Sequence, residues 1–355
     1  MNRLNPIIEK IDTARRIGRR EARILLADAP LLTLGGLANR IRRRLHPEPG
    51  VTYIVDRNIN FSNICVTGCR FCAFYRPPDH PEAYRLNDTD LAQKIEETLD
   101  LGGTQILLQG GMHPDMVLAD YESLLRSIRA FDIHIHGFSP PEIHYLAGKE
   151  NLPLPVVIER LKSAGLGSIP GGGAEILVDR IRRQISPRKC TTAQWLDVMR
   201  TAHKSGLRTT ATMMFGHVET VEDRIDHLMK IRDLQDETGG FTAFIPWTFQ
   251  PHNTQIDVSP ATSCEYLRML AVSRIVLDNI PNIQASWVTQ GAKIAQVALS
   301  FGANDLGSTM IEENVVAAAG IHFRLPKDEM IRLIEDAGYM AQQRDCFYRP
   351  VDSAS

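Results

Sequence analysis

Beyond residue 50 the chain alternates short apolar, β-branched runs with stretches of helical length whose apolar residues recur three and four positions apart. This alternation predicts parallel strands joined by crossover helices. Strands are expected near Thr52–Asp56, Thr104–Gln109, Ile133–Phe138, Ser168–Ile169, Arg208–Met213, Thr242–Pro246, Ile283–Ser286 and around Ala303. Helices are expected at Asp88–Leu101, Leu118–Ala130, Leu154–Ala164, Thr192–Ser205, Val221–Thr238 and Pro260–Asn279. Gly102, Gly165, Gly206 and Gly239 stand at helix exits, where a left-handed residue turns the chain toward the next strand. Eight such units predict an α/β fold, a (β/α)8 TIM-type barrel or an incomplete version of one. Before it, Ile7, Ile11, Ala14 and Ile17 recur at helical spacing. The expected organisation is a helical N-terminal extension (1–50) packed on a barrel (51–325), with a C-terminal helix and tail (326–355) completing the same domain. No composition break, linker or low-complexity segment divides the chain.

With 355 residues, 43% of them hydrophobic, the chain can bury a large core. Lys+Arg 40 against Asp+Glu 42 gives a net charge of −2, which argues against a general nucleic-acid or anionic-membrane binder. No run of eighteen apolar residues occurs, so no membrane span is expected. The Arg-rich start (Arg15, Arg16, Arg19, Arg20, Arg40, Arg42, Arg43, Arg44) raises a transit peptide or a phosphate-binding arm. Interleaved Glu9, Asp12, Glu21 and Asp28, and no serine before Ser62, speak against the first. Against the second, the helical spacing leaves these arginines on solvated faces of an amphipathic helix. Six cysteines without an apolar signal segment point to a reducing cytoplasm rather than a disulfide framework.

Clustering makes three of those cysteines informative: Cys65, Cys69 and Cys72 in NINFSNICVTGCRFCAFYRP. Four thiolates normally close a cubane iron–sulfur cluster, so C-x3-C-x2-C implies an iron open to another group. A structural zinc site borrowing His80 or a distant cysteine, or three core thiols, are the alternatives. Zinc usually takes two separated pairs, and Cys190, Cys264 and Cys346 are single and scattered. The triplet, with Phe71 just before its last cysteine, resembles the radical S-adenosylmethionine superfamily. That resemblance implies a [4Fe-4S] cluster on the three cysteines and S-adenosyl-L-methionine on the open iron.

A barrel keeps its chemistry at the C-terminal ends of its strands, so the sequence after each predicted strand carries weight. After the second, Gln109, Gly110 and Gly111 begin QGGMHP, and paired glycines let backbone approach a ligand closely. By the resemblance this loop holds the amino group of the methionine moiety, with Phe71 beside it. After the third, Ser139 and Glu142 can bond a cofactor, although Ser139 before prolines is equally a helix N-cap. After the fourth, IPGGGAEIL brings Glu175, but it lacks the frame of a nucleotide-phosphate loop, so a sugar or carboxylate ligand is the expectation. Arg180 and Arg182 follow and can pair with a carboxylate, solvated surface arginines being the alternative. The fifth exit holds Gly216, His217 and Glu219, whose G-x-x-E resembles the superfamily's adenine-holding motif, and the two ionisable groups can serve acid–base work if they face the pocket. Trp247, Phe249 and Gln250 offer an aromatic wall with a polar handle, core packing being the alternative for Phe249. Asp305 and Glu312 fall in the last loop.

The blocks LLQGGMHPD, SIPGGGAEIL, TTATMMFGHVET, LQDETGGFTAFIPWTFQPHNT and DLGSTMIEENVV, in order from about Leu25 onward, resemble the cyclic dehypoxanthinyl futalosine synthase family. Aminofutalosine synthase and the radical components of deazaflavin synthase share some of these blocks, and Trp247 with Gln250 tilts the resemblance to the cyclase. Ser308 stands where that family suggests a second glycine. The resemblance implies menaquinone biosynthesis by the futalosine route. A 5′-deoxyadenosyl radical takes the ribose 4-prime hydrogen of dehypoxanthinyl futalosine, the ribose radical adds to the benzoate ring, and an electron and a proton leave. It also implies a reductant such as flavodoxin or ferredoxin, a carboxylate held by an arginine or backbone donors, and His217 or Glu219 as proton acceptor.

Overall fold

The computed structural model of the chain describes residues 3–351. Seven parallel strands form one sheet in chain order: β2 (Asp56–Asn60), β3 (Gln105–Gln109), β4 (His134–Gly137), β5 (Ser168–Ile169), β6 (Arg208–Phe215), β7 (Phe241–Thr248) and β8 (Asn282–Ile283). A second parallel sheet places β1 (Gly50–Ile54) between β9 (Asp305–Ser308) and β10 (Met340–Gln343). The two sheets form a circuit. Only Val55 separates β1 from β2. Beyond β8, the Ala285 amide bonds Asp305, the Asn304 amide bonds Ile283, and Gln284 bridges Asp305. Strand β9 therefore stands between β8 and β1 in the eighth barrel position, where a strand was expected around Ala303.

Local chemistry explains why the crossovers form where the pattern places them. Helices 88–100, 192–204, 221–238 and 263–276 begin at Asn87, Thr191, Thr220 and Thr262, whose side chains accept an amide of the first turn. Gly239, two residues before β7, caps its helix at φ 63°, a conformation that a side chain disfavours. Apolar faces of the crossovers join the barrel exterior in one continuous core.

The N-terminal periodicity is broken. Ile7 and Ile11 are buried on α1 (Asn5–Asp12), but the helix ends at Thr13, whose hydroxyl bonds the Glu9 carbonyl at 2.7 Å. Ala14 is exposed at φ 54°, and Ile17 is buried beyond the turn. Two further helices follow, α2 (Arg19–Asp28) and α3 (Leu31–Leu45). Nor are the arginines merely solvated. Arg16 pairs with Asp236 and Asp278, Arg19 with Asp226, and Arg23 with Glu222, tying the extension to the acidic helix 221–238 and its surroundings. Arg42 is buried, donating to the Gly50 carbonyl and lying 4.4 Å over the Tyr339 ring.

After the helix Lys327–Asp336, β10 adds to the edge of β1, and the chain then passes under the barrel. Arg344 is buried there and grips Asp305 through two bonds of 2.6 and 3.0 Å. Residues 1–2 and 352–355, the ends of the two outer segments expected from sequence, lie outside the described residues. Among the described residues no helix is long and apolar enough to cross a membrane.

Candidate active site

The barrel encloses a cavity of two lobes. The outer lobe, about 220 Å³, is lined by Cys65, Cys69, Cys72, Phe71, Gly110, Gly111, Ser139 and Glu142. The inner lobe, about 280 Å³, lies among the strands above Arg344, Cys346 and Tyr348 of the C-terminal segment. Gln109, Gly172, Gly173, Glu175, Trp247 and Val315 line both, so the lobes communicate.

The residues of the outer lobe fit a cluster with one open iron. Cys65 Sγ lies 3.0 Å from Thr67 Oγ1 and accepts the Met112 amide at 3.4 Å. Burial pushes the Cys69 thiol up to about 11 and raises Cys72 as well, the latter opposed by backbone N–H groups of Tyr75 and Phe74. Such thiols stay protonated until bound iron supplies the compensating charge. Among the described residues no three His, Cys, Asp or Glu side chains converge on a single-ion site. A multi-iron cluster spans thiols set wider apart. His80 accepts the Glu82 amide and lines neither lobe, so it does not join the three cysteines as the zinc alternative would have it.

The glycine loop touches the cysteine loop directly. A Cβ on Gly111 would stand 2.2 Å from the Ile64 carbonyl and 2.6 Å from Cys65 Cβ, and one on Gly110 would stand 2.4 Å from the Phe61 ring. Gly111→Ala is therefore expected to displace Cys65 and to lower iron bound after anaerobic reconstitution to less than about half, by the steric logic of close backbone approach. Iron content equal to the parent's would contradict this.

Ser139 makes no cap bond; its hydroxyl donates to Glu142 at 2.5 Å, and the Gly110 amide donates to the same carboxyl at 3.1 Å. Burial pushes Glu142 up to about 7. Glu175 sits at the mouth between the lobes with φ 41°, a strained conformation outside glycine. It is held by Lys189 at 2.9 Å and Arg182 at 3.5 Å. Lys189 also lies 5.0 Å over the Phe71 ring and lines the outer lobe. It was missed in the sequence because a single lysine carries no motif. Arg182 is buried and donates to the carbonyls of Gly173, Ala174 and Cys190, so it locks the glycine turn instead of meeting a ligand. Arg180 pairs with Asp223.

The fifth-strand exit does not reach the cavity. Gly216, His217 and Glu219 line neither lobe, and the side chains of His217 and Glu219 are 0% exposed. Glu219 accepts the amides of Gly216 and His217 at 2.6 and 2.9 Å and Arg224 Nε at 2.8 Å. His217 Nε2 meets the Met214 carbonyl at 3.1 Å. The pair is a turn lock, which displaces it from the proton-acceptor role expected from sequence. Burial alone would raise the Glu219 carboxyl, but bonding and charge from His217, then Arg224, hold it well below the usual range. A depressed acid stabilises the fold above its unfolded pKa and loses that contribution as pH falls through and below the ordinary carboxylate range. Glu219→Gln is thus expected to cost about 1–3 kcal/mol at pH 7, with the gap from the parent narrowing in acid. Urea unfolding at the two pH values measures it, and a gap that widened in acid would contradict the assignment.

Of the aromatic wall, Trp247 lines both lobes, whereas Phe249 is buried against the His217 ring and Gln250 bonds Thr248. Glu312 pairs with Lys94 and Asp305 with Arg344, so neither acid is free for a ligand. Ser308 donates to Asp56, a fully buried carboxyl that burial shifts upward. Asp56, Glu313 and His136 line the inner lobe. Burial holds His136 down to about 3, hence neutral.

The chain matches the model of the radical SAM superfamily over residues 59–231 and that of the CofH/MqnC C-terminal region over residues 238–355. It is similar to the cyclic dehypoxanthine futalosine synthase of Halalkalibacterium halodurans, 44% identical over 97% of this chain and 94% of that protein. The 5-amino-6-(D-ribitylamino)uracil–L-tyrosine 4-hydroxyphenyl transferase of Archaeoglobus fulgidus is also 44% identical, over 89% of this chain and 93% of that protein. The FeFe-hydrogenase maturase HydG from Carboxydothermus hydrogenoformans shares the fold with a TM-score of 0.78 at 18% identity, over 98% of this chain and 81% of that one.

Proposed function

We propose, because this chain belongs to the radical SAM superfamily and ends in the CofH/MqnC C-terminal region, that it cyclises dehypoxanthinyl futalosine to cyclic dehypoxanthinyl futalosine on the futalosine route to menaquinone. The observation that carries this reading is the near full-length similarity to cyclic dehypoxanthine futalosine synthase. A thiol-lined lobe opening onto a separate inner lobe supports it. Cys65, Cys69 and Cys72 would hold a [4Fe-4S] cluster, with Phe71, Gln109, Gly110, Gly111, Ser139 and Glu175 around S-adenosyl-L-methionine. When bound, the pair supplies the 5′-deoxyadenosyl radical that abstracts the ribose hydrogen.

The chain's own tasks are narrower. The inner lobe holds sugar and ring close enough to join and keeps water from a radical. Trp247, at the junction, offers the ring a flat apolar face. The proton released on ring closure goes to Asp56, a carboxyl of the inner lobe, rather than to His217 or Glu219; Glu313 also lines that lobe but is spent on the amides of Val315, Val316 and Ala317. A flavodoxin or ferredoxin in a reducing cytoplasm would deliver the electron.

The runner-up reading is the tyrosine-using transferase, favoured by an equal identity over a shorter span. Release of 5′-deoxyadenosine by the reduced enzyme separates the two. The cyclase releases it with dehypoxanthinyl futalosine and not with tyrosine plus the ribitylaminouracil; the reverse pattern would replace the reading.

A further inference from the structure

One wall of the inner lobe is polar where a barrel interior is ordinarily apolar. Alternate residues of a strand share a face, so Asp56, Asn58 and Asn60 of β2 turn inward together. Arg57, between them, turns outward to Glu97. In register beside them stand Gln105 opposite Asp56 and Gln109 opposite Asn60 on β3. Gln105 donates its amide N–H to Asp56 at 2.5 Å, and Ser308 donates to Asp56. Asn58 differs: it is 4% exposed and lines the lobe, its covered carbonyl oxygen has no hydrogen-bond partner among the described residues, and its amide nitrogen, which is not covered and makes no hydrogen bond there either, is the atom a ligand can reach. Gln105 Oε1 is likewise unpartnered. An amide N–H left unpaired where a ligand can reach it gains a hydrogen bond when that ligand brings an acceptor.

The chemistry of the wall selects the ligand group. Amides offer donor and acceptor together without charge. Asp56 and Glu313 also line the lobe, and Arg344 there is taken up by Asp305, so an anionic group placed against this wall finds carboxyls rather than a free cation. Neutral hydroxyls satisfy both conditions. Ile245, Trp247, Trp287 and Met310 also line the lobe and offer an aromatic ring apolar surface. We propose that Asn58, with Asp56 beside it, is a specificity subsite for the sugar hydroxyls of the substrate, and that it sets the sugar against β2 with the aromatic ring toward Trp247 and Trp287. This rests on the cyclase reading.

Equilibrium dialysis against the anaerobically reconstituted, unreduced enzyme tests it without turnover. The probes are dehypoxanthinyl futalosine and an analogue lacking the 2- and 3-hydroxyls of its sugar. The parent enzyme is expected to prefer the hydroxylated compound by on the order of 10- to 100-fold. Asn58→Leu is expected to abolish that preference at unchanged cluster absorbance, and Asn58→Ala, which adds no bulk, gives the same result if leucine disturbs the barrel. A variant that keeps the parent's full preference overturns the subsite. Failure of the parent enzyme to bind either compound overturns the cyclase reading, and the assignment with it.

Discussion

Alanine in place of Cys65, Cys69 or Cys72 is expected to leave the reconstituted protein with little iron and to reduce 5′-deoxyadenosine formation to background. The three thiols line one lobe of about 220 Å³, and their spacing already leaves one iron open, so no spare ligand stands in reserve. Residues that act as a unit are not additive, and losing one costs nearly as much as losing all three. Cys264, which is exposed, supplies the control: Cys264→Ala is expected to bind iron as the parent does. Iron content and the visible absorption of the reconstituted variants measure the effect. Full iron in Cys69→Ala would mean that the triplet is not the ligand set.

The largest effect on stability is expected from Asp305→Ala. Asp305 and Arg344 have side chains 0% and 6% exposed, and their two bonds are supplemented by Thr52 Oγ1 at 2.5 Å and the Gly307 amide at 2.8 Å. Removing one partner of a buried pair strands the other charge at a cost of about 3–5 kcal/mol. The loss also loosens the segment that carries Cys346 and Tyr348 beneath the inner lobe. The double variant Asp305→Leu with Arg344→Met is expected to recover much of that stability, because two apolar groups need no charge partner. Thermal unfolding of the three proteins decides it. A double variant less stable than Asp305→Ala would show that the pair holds the floor through its geometry rather than by mutual charge compensation.

The sequence reading reached the barrel because its signal is local. Most strands and helices between residues 52 and 283 carry their own apolar period and their own stop, down to β5, a strand of two residues; β2 (DRNIN) and the helices Pro140–Lys149 and Asp179–Ile185 do not, and none of the three was expected from sequence. The misses are of a different kind. β10, Met340–Gln343, has no apolar alternation, since its place is given by pairing with β1 almost three hundred residues earlier. Lys189 and Asn58 carry no motif; their interest arises only from what the fold sets beside them, Glu175 and Phe71 in one case, an open lobe in the other. His217 and Glu219 erred oppositely. Two ionisable groups at a strand exit look poised for proton transfer, but the tight turn there consumes their bonding capacity on its own amides. Arg182 repeats that lesson, its guanidinium being spent on three backbone carbonyls and Glu175. Motif residues with backbone partners close by in sequence tend to be absorbed by them.

The most direct measurement is the mass of the product formed when the reduced, reconstituted enzyme acts on dehypoxanthinyl futalosine with S-adenosyl-L-methionine. Ring closure with loss of a proton and an electron after hydrogen abstraction gives a compound two hydrogens lighter than the substrate, accompanied by 5′-deoxyadenosine. Recovery of the substrate at unchanged mass, while the same preparation consumes tyrosine and releases 5′-deoxyadenosine, would contradict it.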